Sequence, residues 1–286
     1  MPDSLPPPAT IRGHEETAIY ETFVVPRYLA FFGERVLHKL VVGRDSRVMH
    51  LQCGTGYPDR ELIQKLPTAH VHGVDPSKHN IELARAKALA LVQKQAGIAF
   101  DYRVVEHLPT SFPDGVFSHA FTLMAPSNPE SRAAIVDELG RLVAPRGQGL
   151  VALPLRGSFS EVFDLLRECA LKHERADLAT AVDTAAQLRP TEEGIKKELE
   201  TVGFDQVDVD IRTRTLRFEG GRRFFEDPIT RLLLLPELRA DLGPAASPSK
   251  GLDPFEYVRD AIDKYWSNAT FELTVHVGVA QGRKRA

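Results

Sequence analysis

The feature that most constrains this chain is a regular alternation of short apolar runs with helical stretches between Arg47 and Leu153. Arg47 to Leu51 precedes a helix from Asp59, Val71 to Val74 a helix from Lys78, and Val116 to Met124 a helix from Pro129. Phe100 to Val105 and Gly149 to Leu153 complete the strand set. Strand signals separated by about 10 to 15 helical residues predict βαβ units, hence a parallel sheet with helices on both faces. "HVHGVD" and "GLVALPL" are apolar through their middles, as strands covered on both sides must be. No internal repeat is evident.

The flanks extend this plan. In "YETFVVPRYLAFFGERVLHKL", Phe23, Val24, Phe31, Val36 and Leu40 follow a mostly helical pattern, and Pro26 marks a kink or a new first turn. After Pro154 the character changes. "SFSEVFDLLRECALKH" reads as an amphipathic helix opened by a serine cap, and "LRPTEEGIKKELETVGF" as another that starts at Thr191 and stops at Gly203. An alternating strand then runs from Phe204 to Phe218, and a final one from Thr270 to Gln281; such alternation suits an exposed or antiparallel edge. Helical stretches at Gly221 to Leu242 and Pro254 to Trp266 flank "GPAASPSKGLDP", expected to be a mobile tip. Three divisions follow. Residues 1–19 are expected to be disordered, most clearly through the proline-rich "MPDSLPPPAT". Residues 20–154 form a Rossmann-like core with a leading helix, and residues 155–286 supply helical cap elements and the two terminal strands of the same sheet.

With 286 residues and 43% hydrophobic content, the chain can bury one large α/β core. Its 36 basic and 39 acidic residues leave a net charge of −3, so no global field recruits a polyanion and nucleic acid is not an expected partner. Cys53 and Cys169 are far apart and form no CxxC or Cys/His cluster. No structural zinc site, other metal site or disulfide framework is expected, and a reducing, cytoplasmic setting fits. The first residues show no basic region followed by an apolar one, and no segment approaches the ~18 apolar residues of a membrane span, so no membrane partner is expected. The oligomeric state is left open.

Chemistry concentrates in "RVMHLQCGTGYPDREL", at the first strand-to-helix turn. In a doubly wound sheet this turn at the carboxyl ends of the strands is the usual ligand contact. A dinucleotide site wants G-x-G-x-x-G, but Asp59 stands three after Gly56, which disfavours a nicotinamide-dependent oxidoreductase; a Gly-Lys-Ser/Thr phosphate cradle is also absent. Asp75, at the end of the second strand, is placed to accept hydrogen bonds from ribose hydroxyls. Ribose without pyrophosphate is the implied ligand.

The ordered set of Cys53-Gly54-Thr55-Gly56, Asp75 and "EHLPTSFPDGVF", with the leading helix and two terminal strands, resembles the class I S-adenosylmethionine-dependent methyltransferases of the small-molecule, type 11-like kind. The resemblance implies a Rossmann-like doubly wound sheet of seven strands, the last antiparallel, with a helical cap. It also implies S-adenosyl-L-methionine as cofactor. Its contacts would come from His50, Gln52, Cys53, Gly54, Thr55 and Gly56 in the loop, Asp75 and Pro76 after the second strand, and Thr122 at the end of the fourth. A further carboxylate after the third strand would meet the adenine. Counted from "LP" that position is Val104, and counted back from "FPDG" it is Glu106; Glu106 is preferred, with a solvated loop glutamate as the competing account.

The chain departs from the family where Asp/Glu-x-Gly-x-Gly-x-Gly is usual. His50 replaces the acid, supplying no compensating negative charge, and Gln52 replaces the first glycine. Methyl transfer from a sulfonium relies mainly on proximity and orientation, and a general base matters only when the acceptor must lose a proton. His107 is the one catalytic candidate; His119 reads as a satisfied core histidine. Trp266, Tyr257, Phe224 and Phe225 either line an apolar acceptor pocket or pack as core. The expected function is methyl transfer to a small, partly apolar metabolite bound between sheet and cap. The alternative is a methyltransferase fold that no longer turns over and serves as a binding or regulatory partner.

Overall fold

A computed structural model of the chain describes residues 13–43, 45–249 and 251–286. The chain opens with α1 (His14–Ile19), which runs without a break through a π-helical segment (Tyr20–Leu29) into α2 (Ala30–Lys39). Next come β1 (Arg47–Leu51), α3 (Asp59–Lys65), β2 (His70–Asp75), α4 (Lys78–Val92), β3 (Ala99–Val104), β4 (Phe117–Thr122), α5 (Pro129–Leu142) and β5 (Val143–Pro154). The second half holds α6 (Ser160–Lys172), α7 (Ala176–Leu188), α8 (Glu192–Thr201), β6 (Phe204–Phe218), α9 (Gly221–Glu226), a second π-helical turn (Thr230–Leu234), α10 (Leu235–Leu242), α11 (Pro254–Tyr265) and β7 (Phe271–Lys284).

The seven strands form one sheet in the order β3-β2-β1-β4-β5-β7-β6. β1 to β5 pair in parallel, and β7 inserts antiparallel between β5 and β6. The order reverses between β1 and β4, so the turn after β1 opens beside the switch point where such sheets bind ligands. The central strands bury Val48, Met49, Phe121, Leu150 and Val151, each contributing roughly 1.5 to 3 kcal/mol of transfer free energy. Helix ends obey their local chemistry. Ser77 accepts from Asn80 N to cap α4, Thr191 accepts from Gly194 N to cap α8, and Asp253 caps α11. Among the described residues, no helix is long and apolar enough to cross a membrane.

Four local expectations are revised. Residues 14–19 are helical rather than disordered, because buried Thr17 and the continuous run into Tyr20 tie them to the core; residues 1–12 lie outside the described residues. Pro26 does not restart the helix. The backbone widens to π-type bonding across it, a register that tolerates an amide with no N–H. No serine caps α6: its N-cap is Phe159 at φ +65°, while Ser158 Oγ instead accepts from His276 N at 2.9 Å. The expected mobile tip is partly ordered by a 3₁₀ turn (Gly243–Ala246) and a Ser249–Leu252 bridge, Lys250 lying outside the described residues.

Candidate functional site

β1 runs straight into a tight loop. Gln52, Gly54 and Gly56 have φ of +55°, +52° and +80°, and these left-handed residues turn the chain so that α3 begins at Asp59. The turn is closed by Cys53 N donating to Val74 O, Gly56 N to Cys53 O and Asp59 N to Gly56 O, at 2.9, 2.9 and 3.1 Å. Gly56 is needed for two reasons. Its φ favours glycine, and a Cβ there would lie 3.1 Å from the Tyr102 hydroxyl and 3.3 Å from Ala84 Cβ. Gln52 adopts the same left-handed conformation with a side chain attached, at a cost on the order of 1 kcal/mol.

Asp75 is fully buried at the end of β2. Its Oδ2 accepts from Gly54 N at 3.0 Å, and its Oδ1 from Ser77 N at 2.9 Å and Asn80 Nδ2 at 3.1 Å. A carboxylate offers about four acceptor directions, so these three bonds leave one on Oδ2. Burial pushes the Asp75 pKa up, opposed by the same three donors and by His50. Above the loop, the Tyr20 ring lies 3.6 Å from where a Gly54 Cβ would sit, and its phenol pKa is raised by burial and then by Asp75.

Beneath the loop lies a buried polar triad. His50 Nδ1 is 3.1 Å from Asp59 Oδ1, and the Tyr102 hydroxyl donates to Asp59 Oδ2 at 2.6 Å. The His50 ring stacks on Phe121 with centroids 4.1 Å apart, and its Nε2 is buried without a hydrogen-bond partner among the described residues. His50 thus has a buried carboxylate partner, Asp59 at the start of α3, while no acid stands at position 50 itself. Sequence reasoning noted Asp59 as a helix start and as the residue that breaks a glycine motif, not as a partner of His50, and it missed Tyr102 altogether.

The leading helix latches onto this loop. Thr55 Oγ1 donates to Glu21 Oε2 and Lys87 Nζ to Glu21 Oε1, both at 2.5 Å. Between the π-helical segment, α3 and α4 runs a cleft of about 330 Å³, with Glu21, Gly56, Asp59, Lys87 and Tyr102 on its walls.

The other candidates separate. Pro76 is half-buried between Asp75 and the α4 cap, and Thr122 is buried at the end of β4 with its hydroxyl lacking a hydrogen-bond partner among the described residues. Val104 pairs in register with Asp75, whereas Glu106 and His107 are exposed in the loop beyond β3. His119 contacts Val41 O and Ser118 Oγ, both at 2.9 Å, which satisfies both ring nitrogens. The aromatic candidates pack as core rather than as pocket walls. Phe224 and Trp266 both close on Phe271, with centroids 5.4 and 5.1 Å away, Phe225 stacks edge-on to Phe224, and the Tyr257 hydroxyl bonds Glu168.

Cap and sheet are joined beyond β4 by a polar network with no sequence motif. Arg189 Nη2 donates to Glu237 Oε2 at 2.7 Å, Ser127 N to Glu237 Oε1 at 3.1 Å, and Ser127 Oγ contacts both Asp241 oxygens at 2.9 Å. Burial, then the neighbouring Glu237, pushes the Asp241 pKa up to about 6.

Residues 48–147 match the family model of a methyltransferase domain. The chain is 30% identical over 178 residues to a malonyl-[acyl-carrier protein] O-methyltransferase of Halorhodospira halophila, covering 59% of this chain and 56% of the relative. It is 29% identical over 135 residues to a trans-aconitate 2-methyltransferase of Methylobacterium nodulans, covering 45% and 48%. It thus spans about half the length of the curated relatives it matches. Among solved structures, it shares its fold with Haemonchus contortus phosphoethanolamine N-methyltransferase 2 in complex with S-adenosyl-L-methionine. That match has a TM-score of 0.52 and 15% identity, covering 96% of this chain and 58% of the other.

Proposed function

We propose that the chain, whose residues 48–147 match a methyltransferase-domain model, is a class I S-adenosylmethionine-dependent methyltransferase that transfers a methyl group to a small, partly apolar metabolite bound between sheet and cap. The observation that carries the proposal is Asp75, held at the end of β2 against Gly54 N by three donors that leave part of its acceptor capacity unused. These residues fit the cofactor: the left-handed loop brings bare backbone to its methionine end, and Asp75 can accept from a ribose hydroxyl. Gln52, Cys53, Thr55, Pro76 and Thr122 would complete the surround, and His50, paired with Asp59, would set the charge beneath it. S-adenosylmethionine, when bound, supplies a methyl group already activated by a sulfonium. The chain's part is to hold acceptor and methyl in line and exclude water.

The relatives named for malonyl-[acyl-carrier protein] and trans-aconitate support an organic acid or acyl compound as acceptor. A carboxylate acceptor is already deprotonated at neutral pH, so no general base is required. That accords with the exposed position of His107. A cytoplasmic setting belongs to the same proposal, supported by the two buried free cysteines.

One observation favours the second reading, a methyltransferase fold that does not turn over: Asp75 is fully buried, with the Tyr20 ring against the glycine loop. A thermal-shift titration with S-adenosylhomocysteine separates the two. A ligand at a hundredfold excess over its Kd contributes ~2.7 kcal/mol, a rise of roughly 5 °C for a chain this large. That rise is the expected result. A flat response from protein shown to be folded would favour the second reading and leave the loop as inherited scaffold.

A further inference from the structure

We propose that His14, His79 and Glu82 form a divalent-metal site of the zinc class that pins the start of α1 to the first turns of α4. The ligand atoms of these three side chains all lie within 4.8 Å of one another. His14 Nε2 and His79 Nδ1 approach the same Glu82 oxygen, Oε2, at 3.8 and 3.7 Å, and the two imidazole rings meet edge to face with centroids 4.4 Å apart. Two imidazoles and a carboxylate are a donor set zinc accepts, with a water completing the tetrahedron. Bonds of about 2.0 to 2.2 Å set tetrahedral ligand atoms roughly 3.3 Å apart, so modest side-chain rotation closes the observed gaps.

Hydrogen bonding among the three does not explain the arrangement. Separations of 3.7 and 3.8 Å are too long for hydrogen bonds, and His79 Nδ1 is buried with no hydrogen-bond partner among the described residues. His79 and Glu82, three apart on α4, share a helix face, and only the docking of α1 adds His14. Lys78 Nζ, on an exposed side chain, approaches the other Glu82 oxygen at 3.7 Å and leaves Oε2 to face the histidines. No metal site was expected from the sequence because no Cys/His cluster lies close in the chain, whereas this set is assembled by tertiary contact.

The position gives the site a consequence. α1 continues directly into the segment that carries Tyr20 over Gly54 and Glu21 onto Thr55. α4 is capped by Ser77, whose N–H donates to Asp75, and Asn80, next to His79, donates to the same carboxylate. A metal bridging the two helices therefore braces both walls of the glycine loop. Metal binding does not depend on the methyltransferase reading, so the two can fail separately.

The test is a cobalt(II) titration of the full chain followed by visible absorption, with zinc displacement and calorimetry. One equivalent is expected to bind with a tetrahedral absorption band that zinc abolishes. His14→Ala, His79→Ala and Glu82→Gln should each weaken it by about tenfold or more, while His173→Ala should not. Zinc should raise the Tm of the wild type and not of the three variants, whose metal-free Tm should match that of the metal-free wild type. No bound cobalt, or binding that survives unchanged in all three variants, would overturn the proposal.

Discussion

His50 and Asp59, nine residues apart, meet at 3.1 Å beneath the glycine-rich loop with both side chains 1% exposed. The Tyr102 hydroxyl binds the other Asp59 oxygen, so one carboxylate ties β1, α3 and β3 together. Replacing Asp59 by Ala leaves two buried polar groups without a partner, and a loss of about 3 kcal/mol in urea unfolding is expected. Tyr102→Phe, which removes one donor, should cost nearer 1 kcal/mol. Wild-type stability in Asp59→Ala would mean that the triad contributes nothing net.

Asp75→Ala should weaken S-adenosylhomocysteine binding by about 1.5 to 3 kcal/mol, the range for hydrogen bonds to a charged group. Gly54 N, Ser77 N and Asn80 Nδ2 would also lose their acceptor, so the variant's unfolding curve must be measured alongside its calorimetric titration. Undiminished affinity in a folded variant would remove Asp75 from the site.

The left-handed backbone at Gln52 makes an asymmetric forecast. Gln52→Gly relieves strain but frees the unfolded chain, so stability should change by less than about 1 kcal/mol. Gln52→Val forces a β-branched side chain into that conformation and should cost about 2 kcal/mol or more. Equal denaturant midpoints for the two variants would show that the backbone relaxes here.

Asp241 predicts a pH dependence of definite sign. Its folded pKa is raised to about 6 from the ordinary carboxylate value of 3.8, so between those values the folded state binds more protons than the unfolded one. Its contribution is fully present below pH ~4 and is lost as pH rises through ~6, a difference on the order of 3 kcal/mol. Asp241→Asn should flatten that part of the stability profile in chemical unfolding measured from pH 4.5 to 7.5. An identical profile in the variant would mean that the group titrates normally.

The fold was legible because hydrophobic periodicity is local. The runs at Arg47 to Leu51 and Phe204 to Phe218, and the Thr191 and Gly203 signals around α8, depend on neighbours within a few residues, and the structure has both strands at those bounds. The serine cap of α6 failed for the complementary reason. Ser158 had a choice of partners, and the distant His276 amide took it. The π-helical path through Pro26 was equally hidden, since packing rather than propensity selects that register.

At the site, the sequence by itself determined the loop and its acid: Gly54 and Gly56 because left-handed turns favour glycine, and Asp75 because it ends a strand. Only the tertiary structure decided that His50 is matched by Asp59, that Tyr102 closes beneath Gly56, and that Glu21 latches onto Thr55. It also decided that Phe224 and Trp266 are core and that His14 meets His79. The physical reason is the range of the forces involved. Backbone conformation and apolar periodicity act over a few residues and can be read along the chain, whereas a buried charge takes its partner from whichever element packs against it.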